Sequence, residues 1–244
     1  LQQLPKEKDY SPVAVRELFI VPNGYKMITS DYSGQELRVL AHVCNEPNMI
    51  KAFKEGKDFH QAIADQFGVS RTQAKAINFG IAYRKGAYGF SQDWNCSEEE
   101  AQKVLDKYFQ EFPAIKRKMD LNDMFLKENG YVKTMAGRRR HFQKIDDKYY
   151  KNGSYREAFN FLIQGFSADM IRAAMVNVYV RAKKYPEWDL KTIMTVHDES
   201  VWQVKEEYLE DAMKLINDTF EKAVKLKVPT PSDTNYGVNY NEAK

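Results

Sequence analysis

The sequence predicts an α+β fold, with an antiparallel sheet backed by helices and a mainly helical insertion dividing the sheet in the chain. Three observations carry this. Lys26 to Ser30 holds apolar Met27 and Ile28 beside β-branched Thr29, a short half-buried strand that stops at Asp31. Lys191 to Val196 (KTIMTV) and Val201 to Val204 (VWQV) read as two more strands. His197-Asp198-Glu199-Ser200 joins them as a short hairpin with acids at its tip. The long stretch between the first strand and this hairpin is patterned as helices.

The 244 residues are 43% hydrophobic and 13% aromatic, enough to bury a sizeable core as one large domain or two smaller ones. A net charge of +3 says little about nucleic acid, so local clusters must make that case. Cys44 and Cys96 show neither metal-ligand nor disulfide spacing. No run approaches the roughly 18 apolar residues of a membrane span. The first residue is Leu rather than Met, and the expectation is that a natural N-terminus has been lost with any targeting signal.

In order along the chain, Val13 to Val21 has strand character before the Pro22-Asn23-Gly24 turn. Met27 to Asp31 follows, then Ser33-Gly34 as turn chemistry. From Glu36 the spacing is helical, with Leu37, Leu40 and Ala41 on one side. Pro47 to Lys54, His60 to Gln66 and Ser70 to Tyr83 read as helices, the last capped by Ser70. Ser97 caps another through Tyr108, with Glu98 to Glu100 in the turn where the helix dipole favours acids. Pro113 to Lys127 is helical and closes at Glu128-Asn129-Gly130. Tyr131 to Thr134 is a strand leading to Gly137 and the run Arg138-Arg139-Arg140. Arg156 to Lys183 is one long helix, and Tyr208 to Lys225 a last amphipathic one backing the sheet. There is no repeat, low-complexity segment or Gly/Ser linker.

Chemistry concentrates in a few places. Asp31 at a strand end, with Asp198 and Glu199 at a hairpin tip, makes an oxygen-rich set suited to magnesium, which takes few carboxylates and completes its shell with substrate phosphate. Arg71, Lys75, Phe79 and Tyr83 are each four apart, a stripe of two cations and then two rings. That suits a nucleoside triphosphate, charge for phosphates and flat faces for base and sugar. Taken singly, each has a plainer reading: Asp31 as a helix cap, the tip acids as turn residues, the stripe as core rings with a solvated end. Arg138 and Arg139, with Lys133 near, suit backbone phosphate. Arg156, Asn160 and Gln164 form a polar stripe on an otherwise apolar helix, and polar groups held against a core need partners.

Together these segments resemble the family A DNA polymerases, the DNA polymerase I type. DYSGQELRVLAH is similar to the family's first palm motif, RTQAKAINFGIAY to its fingers-helix motif and VHDES to its second palm motif, in the family's order. DFHQAIADQFG, TMAGRRR, REAFNFLIQGFSADMI and the closing VPTPSDTNYGVNYNEA also match, so the resemblance covers essentially the whole chain. It implies a right-hand polymerase palm in two parts, 1–43 and 155–244, with fingers over 44–154 between them. Nothing in the chain corresponds to a thumb or a 3′–5′ exonuclease. The expectation is therefore a C-terminal portion that works with an N-terminal polymerase portion, in cis or as a separate chain.

The resemblance implies template-directed DNA synthesis on primer-template DNA from dNTPs. Two Mg2+ ions, with Mn2+ as a substitute, would lie between Asp31 and Asp198, and the carbonyl of Tyr32 would join the nucleotide-side ion. Glu199 assists. Arg71, Lys75 and His60 match phosphate contacts, Lys75 also as proton donor to pyrophosphate. Tyr83 packs near the templating pair. Glu36 matches the gate that excludes a ribose 2′-hydroxyl. Phe79 stands where Phe or Tyr occurs, and Phe disfavours dideoxynucleotides. Gln2, Arg138, Arg139, Arg156, Asn160, Gln164 and His197 match residues at the primer-template. The implied location is wherever DNA is replicated, the cytoplasm or nucleoid of a bacterium or a virus-infected cell, with no membrane partner and no secretion. One departure is marked: Arg84-Lys85 follow Tyr83 where the family usually has Gly, so either the helix runs on or the cations touch template phosphate. A single-subunit RNA polymerase, a non-catalytic nucleic-acid-binding subunit and a metal-dependent nuclease are the competing classes. Glu36 argues against the first and the Arg71–Tyr83 stripe against the last.

Overall fold

The computed structural model describes residues 15–143 and 151–244. In chain order they form β1 (Tyr25–Tyr32), α1 (Gln35–Cys44), α2 (Pro47–Lys54), α3 (Phe59–Phe67), α4 (Arg71–Ala82) and α5 (Ala87–Trp94). Then come α6 (Glu98–Glu111), α7 (Pro113–Asn129), β2 (Tyr131–Lys133), β3 (Arg139–His141) and α8 (Lys151–Ala182). The chain finishes with β4 (Lys191–Val196), β5 (Glu199–Lys205), α9 (Leu209–Lys222) and β6 (Ser232–Gly237). Contacts divide it into two units. The first takes residues through Gln35 with Ala168–Lys225 and Thr230–Lys244, and the second Glu36–Ser167 with Leu226–Pro229. Palm and fingers boundaries at 1–43, 44–154 and 155–244 are functional divisions and stand as a proposal.

The first unit is built on an antiparallel sheet in the order β4-β5-β1-β6. Central β1 pairs with β5 from Tyr25↔Lys205 to Asp31↔Glu199, and with β6 from Met27↔Gly237 to Tyr32↔Ser232. Strand alternation sends Met27, Thr29 and Asp31 to one face and Ile28, Ser30 and Tyr32 to the other. Met27 packs with Val21, Val196, Val201, Tyr240 and Ala243. Behind the sheet, α9 buries Ala212, Leu215, Ile216, Thr219 and Phe220, the spacing of one helix face. Tyr32 seats its ring 5.2 Å from that of Phe220 and donates its hydroxyl to the Phe220 carbonyl at 2.8 Å.

In the second unit the caps expected from Ser70 and Ser97 both form, each as a reciprocal box, with Gln73 and Glu100 respectively. Asp58 caps α3 by accepting from the His60 and Gln61 amides at 2.9 and 3.1 Å. Gly130, at φ 69°, ends α7 where a side chain would be strained. Glu46 is fully buried and serves two helices, accepting from Asn48 N at the start of α2 (3.2 Å) and from Ala114 N at the start of α7 (2.8 Å). Glu46→Ala orphans both amides, and we expect it to cost about 2–4 kcal/mol in urea unfolding. A loss below about 0.5 kcal/mol, the level of an ordinary surface change, would remove Glu46 as a shared cap.

Two expectations are corrected. The strand over 13–21 is partly outside the described residues, and within them Val15–Leu18 is a 3-10 helix. Only Ile20 pairs, through one antiparallel bridge to Asn239, because Pro22 has no amide to extend a ladder. The helix from Ser70 does not run past Tyr83. It ends at Ala82, Arg84 turns left-handed at φ 53°, and a separate α5 follows.

Candidate functional site

The sheet of the first unit brings carboxylates into line. Asp31 on β1 stands opposite Glu199 on β5 and opposite Asp233 on β6. Asp198 joins them from the two-residue turn between β4 and β5, whose first residue, His197, has φ 56°. Burial first, then the charges of Asp198 and Glu199, push Asp31 up to about 6, with Lys244 opposing. Asp198 is also raised, again by burial foremost and with Glu199 adding. Asp31 Oδ1 is buried without a hydrogen-bond partner.

Glu199 is engaged otherwise. It is buried, accepts from the Tyr240 hydroxyl at 2.6 Å and pairs with the Lys244 ammonium. Both its oxygens are thus held, which fits an assisting role and leaves Asp31 and Asp198 as the pair with unspent charge. Among the described residues no group of three or more His, Cys, Asp or Glu side chains makes a metal cage. Two carboxylates raised chiefly by burial and an orphaned oxygen nonetheless fit an oxygen-seeking divalent ion that brings its own waters. Asp233, Tyr240 and Lys244 escaped the sequence reading. No local signal marks them, since strand register and the turn after β6 bring them to Asp31 and Glu199.

The raised Asp31 carries a stability prediction. Its folded pKa lies above the ordinary 3.8, so the stability it contributes is full below about pH 4 and is lost as pH rises toward 6. Asp31→Asn should therefore stabilise the metal-free protein at pH 7.5, by about 1 kcal/mol once solvent screening is allowed for and seen as a higher melting point, and change little at pH 4. Added Mg2+ should stabilise the parent and not the variant. Equal melting points for the two at pH 7.5, with and without the ion, would remove Asp31 as a strained ligand.

In the second unit α4 presents the expected stripe. Arg71 bonds Asp58 through Nε and Nη2, each at 2.9 Å, so its charge is shared rather than free. Lys75 is exposed and has no ion-pair partner among the described residues. His60 Nδ1 lies 3.0 Å from Asn78 Nδ2, and its ring centre 5.9 Å from that of Phe79. Burial, reinforced by Arg71 and Lys75, lowers the His60 pKa and favours a neutral ring, against Asp58. Phe79 is half-buried and Tyr83 exposed.

Beyond this stripe is a network that the sequence reading did not anticipate. The Tyr83 hydroxyl donates to Glu36 at 3.1 Å, and Gln164 Nε2 donates to Tyr83 Oη at 3.1 Å and to Glu36 Oε1 at 3.2 Å. Three residues from α1, the end of α4 and α8 thereby meet. Arg156, Asn160 and Gln164 line one cleft of about 630 Å³ with Tyr83, Lys85 and Arg140. Arg138 N–H donates to Thr134 Oγ1 at 3.3 Å, and Arg139 lies 4.9 Å over the Tyr131 ring, both on the β2–β3 hairpin. His197 is exposed at its turn. Gln2 lies outside the described residues.

A family model described as DNA polymerase family A matches residues 1–242. The chain is 35% identical over 255 residues to DNA polymerase I of Caldicellulosiruptor bescii, covering all of this chain and 30% of that protein. It is 36% identical over 242 residues to DNA polymerase I of Geobacillus stearothermophilus, covering 94% of this chain and 28% of that one. Among solved structures it is similar to the POL domain of Pol1 from M. smegmatis in complex with DNA primer-template and dNTP. That likeness has a TM-score of 0.92 at 30% identity and covers 100% of this chain and 45% of the other. The chain thus spans under a third of the length of these curated relatives.

Proposed function

The chain belongs to DNA polymerase family A, and from that premise we propose that it carries the nucleotidyl-transfer centre of a DNA polymerase. It would extend a primer 3′-hydroxyl with dNMP from dNTP on a DNA template. The observation that carries the reading is the pair Asp31 on β1 and Asp198 in the β4–β5 turn, both raised chiefly by burial, with Asp31 Oδ1 buried and unpartnered. Nuclease chemistry needs acids too, but has no use for the Lys75–Phe79–Tyr83 stripe.

Phosphoryl transfer asks a protein mostly for positioning and charge. Asp31 and Asp198, with the Tyr32 carbonyl, would hold two Mg2+ ions, which supply acidification of the attacking hydroxyl and charge relief for pyrophosphate. Lys75 and Arg71 would neutralise the triphosphate, Arg71 by sharing itself with Asp58, and Lys75 would give a proton to the departing pyrophosphate. His60, neutral, would donate a hydrogen bond from Nε2. Phe79 would face the sugar, and Tyr83 the base pair. Glu36, held by two donors, would occupy the space of a ribose 2′-hydroxyl. Arg138, Arg139, Arg156, Asn160, Gln164, His197 and Gln2 would track the primer-template. A preceding thumb and palm portion, in cis or as another chain, would complete the grip. Among the described residues no helix is long and apolar enough to cross a membrane.

The test is primer extension on a primed template with dNTPs and Mg2+, using the chain alone and with the preceding polymerase portion supplied. Metal-dependent extension in either setting is expected. DNA binding without extension in both would leave a non-catalytic nucleic-acid-binding subunit.

A further inference from the structure

Arg84, one residue past the Tyr83 cap of α4, lies in the left-handed region at φ 53°, a conformation that L side chains resist. Backbone bonds close the turn itself, from Arg84 N–H to Ile81 O at 2.9 Å and from Lys85 N–H to Gly80 O at 2.7 Å. A glycine would make the same bonds with less strain. What the arginine adds is its side chain. Nη1 and Nη2 grip both oxygens of Asp123 on α7 at 2.5 and 2.6 Å, and Nη1 also approaches the Tyr155 carbonyl of α8 at 3.4 Å. The two side chains are only 24% and 25% exposed, so water screens the pair less than a surface pair. A forked guanidinium on a carboxylate also fixes orientation, which a single ammonium contact does not.

Tyr83, the residue before, makes the hydrogen bonds to Glu36 and Gln164. Neighbouring residues 83 and 84 thus reach α8 at two places, Gln164 and Tyr155, which lie nine residues or roughly 13 Å apart along that helix. With α7 gripped as well, the end of α4 is held at several points and cannot swivel about one.

We propose that Arg84 is a positioning residue for sugar discrimination, its fork on Asp123 holding the end of α4 so that Tyr83 keeps Glu36 in place. The proposal rests on the polymerase reading above, in which Glu36 excludes ribose. Arg84 touches no substrate in it and acts through Tyr83. Lys85 takes no part, because it pairs with Asp93 on α5 and lies over the Phe90 ring.

Three variants separate the fork from the backbone. Arg84→Gly removes the fork and relieves the strain, Asp123→Ala removes the fork but keeps the strain, and Arg84→Lys keeps charge without the fork. In an extension-competent protein, the ratio of kcat/KM for dNTP over rNTP should fall roughly 5- to 20-fold in all three, the range coupled neighbours exert. Combining Arg84→Gly with Asp123→Ala should lower it no further than the worse single change. Ratios within about two-fold of the parent, or effects that multiply in the double variant, would overturn the proposal. Hydrogen exchange at the Tyr83, Arg84 and Lys85 amides supplies a readout independent of activity, and Asp123→Ala should speed it. If the parent incorporates no nucleotide, the polymerase reading fails, and unchanged exchange in Asp123→Ala overturns the clamp on its own.

Discussion

Asp198→Ala should reduce Mg2+-dependent primer extension by ~10³-fold or more, while leaving the melting point of the metal-free protein unchanged or higher. The asymmetry follows from where Asp198 sits. Its carboxylate is at a two-residue turn, and burial and Glu199 already make its charge unfavourable. Removing that charge relieves the fold and, on the proposed metal assignment, takes away one of the two carboxylates that would hold the ions. Glu199→Gln should behave in the opposite way. Glu199 accepts from Tyr240 and pairs with Lys244 inside the fold, so the variant should lose stability and only part of its activity. Single-nucleotide incorporation and melting, measured on both variants, separate the roles. Substantial extension by Asp198→Ala would sink the metal assignment, and so would an equal loss from both variants with unchanged melting.

Phe79→Tyr should admit dideoxynucleotides, improving their incorporation relative to dNTPs by roughly 10- to 10²-fold, about the worth of one hydrogen bond restored in a desolvated site. Phe79 is half-buried on α4 between Lys75 and Tyr83, with the His60 ring 5.9 Å away. A phenyl ring there can offer shape but no hydrogen bond. On the proposed placement of Phe79 at the sugar, a substrate without its 3′-hydroxyl would find no polar group there in the parent, and the tyrosine hydroxyl would supply one. Competition between ddNTP and dNTP on one template, read as band ratios, measures this. Equal incorporation of both by the parent would place Phe79 away from the sugar.

Local chemistry was the readable part. Ser70 and Ser97 announced their helices because a capping box needs only residues three apart, and both boxes form. Asp31 was readable as a strand-end acid, and the β4–β5 hairpin from its alternation. Pairings between distant residues were not. Asp233 faces Asp31 only because β6 lies beside β1, and Lys244 reaches Glu199 only through the turn after β6. Glu199 looked like a tip residue but begins β5 and points inward, since a two-residue turn leaves just His197 and Asp198 outside the ladder. Arg84 misled for a different reason. Helical spacing carries no mark of a left-handed residue, and the carboxylate that steadies it lies 39 positions away.

The central place of β1 has a consequence during synthesis. Its partner β5 begins about 170 residues later, and β6 later still. At the ribosome's ~5–20 residues per second, β1 therefore waits roughly 8–35 s with both edges bare. Residues 36–167, most of the second unit, are made in that interval. The strand bearing the first carboxylate thus spends its exposed period tethered to helices that can already pack, and the sheet closes only when the last tenth of the described chain leaves the tunnel.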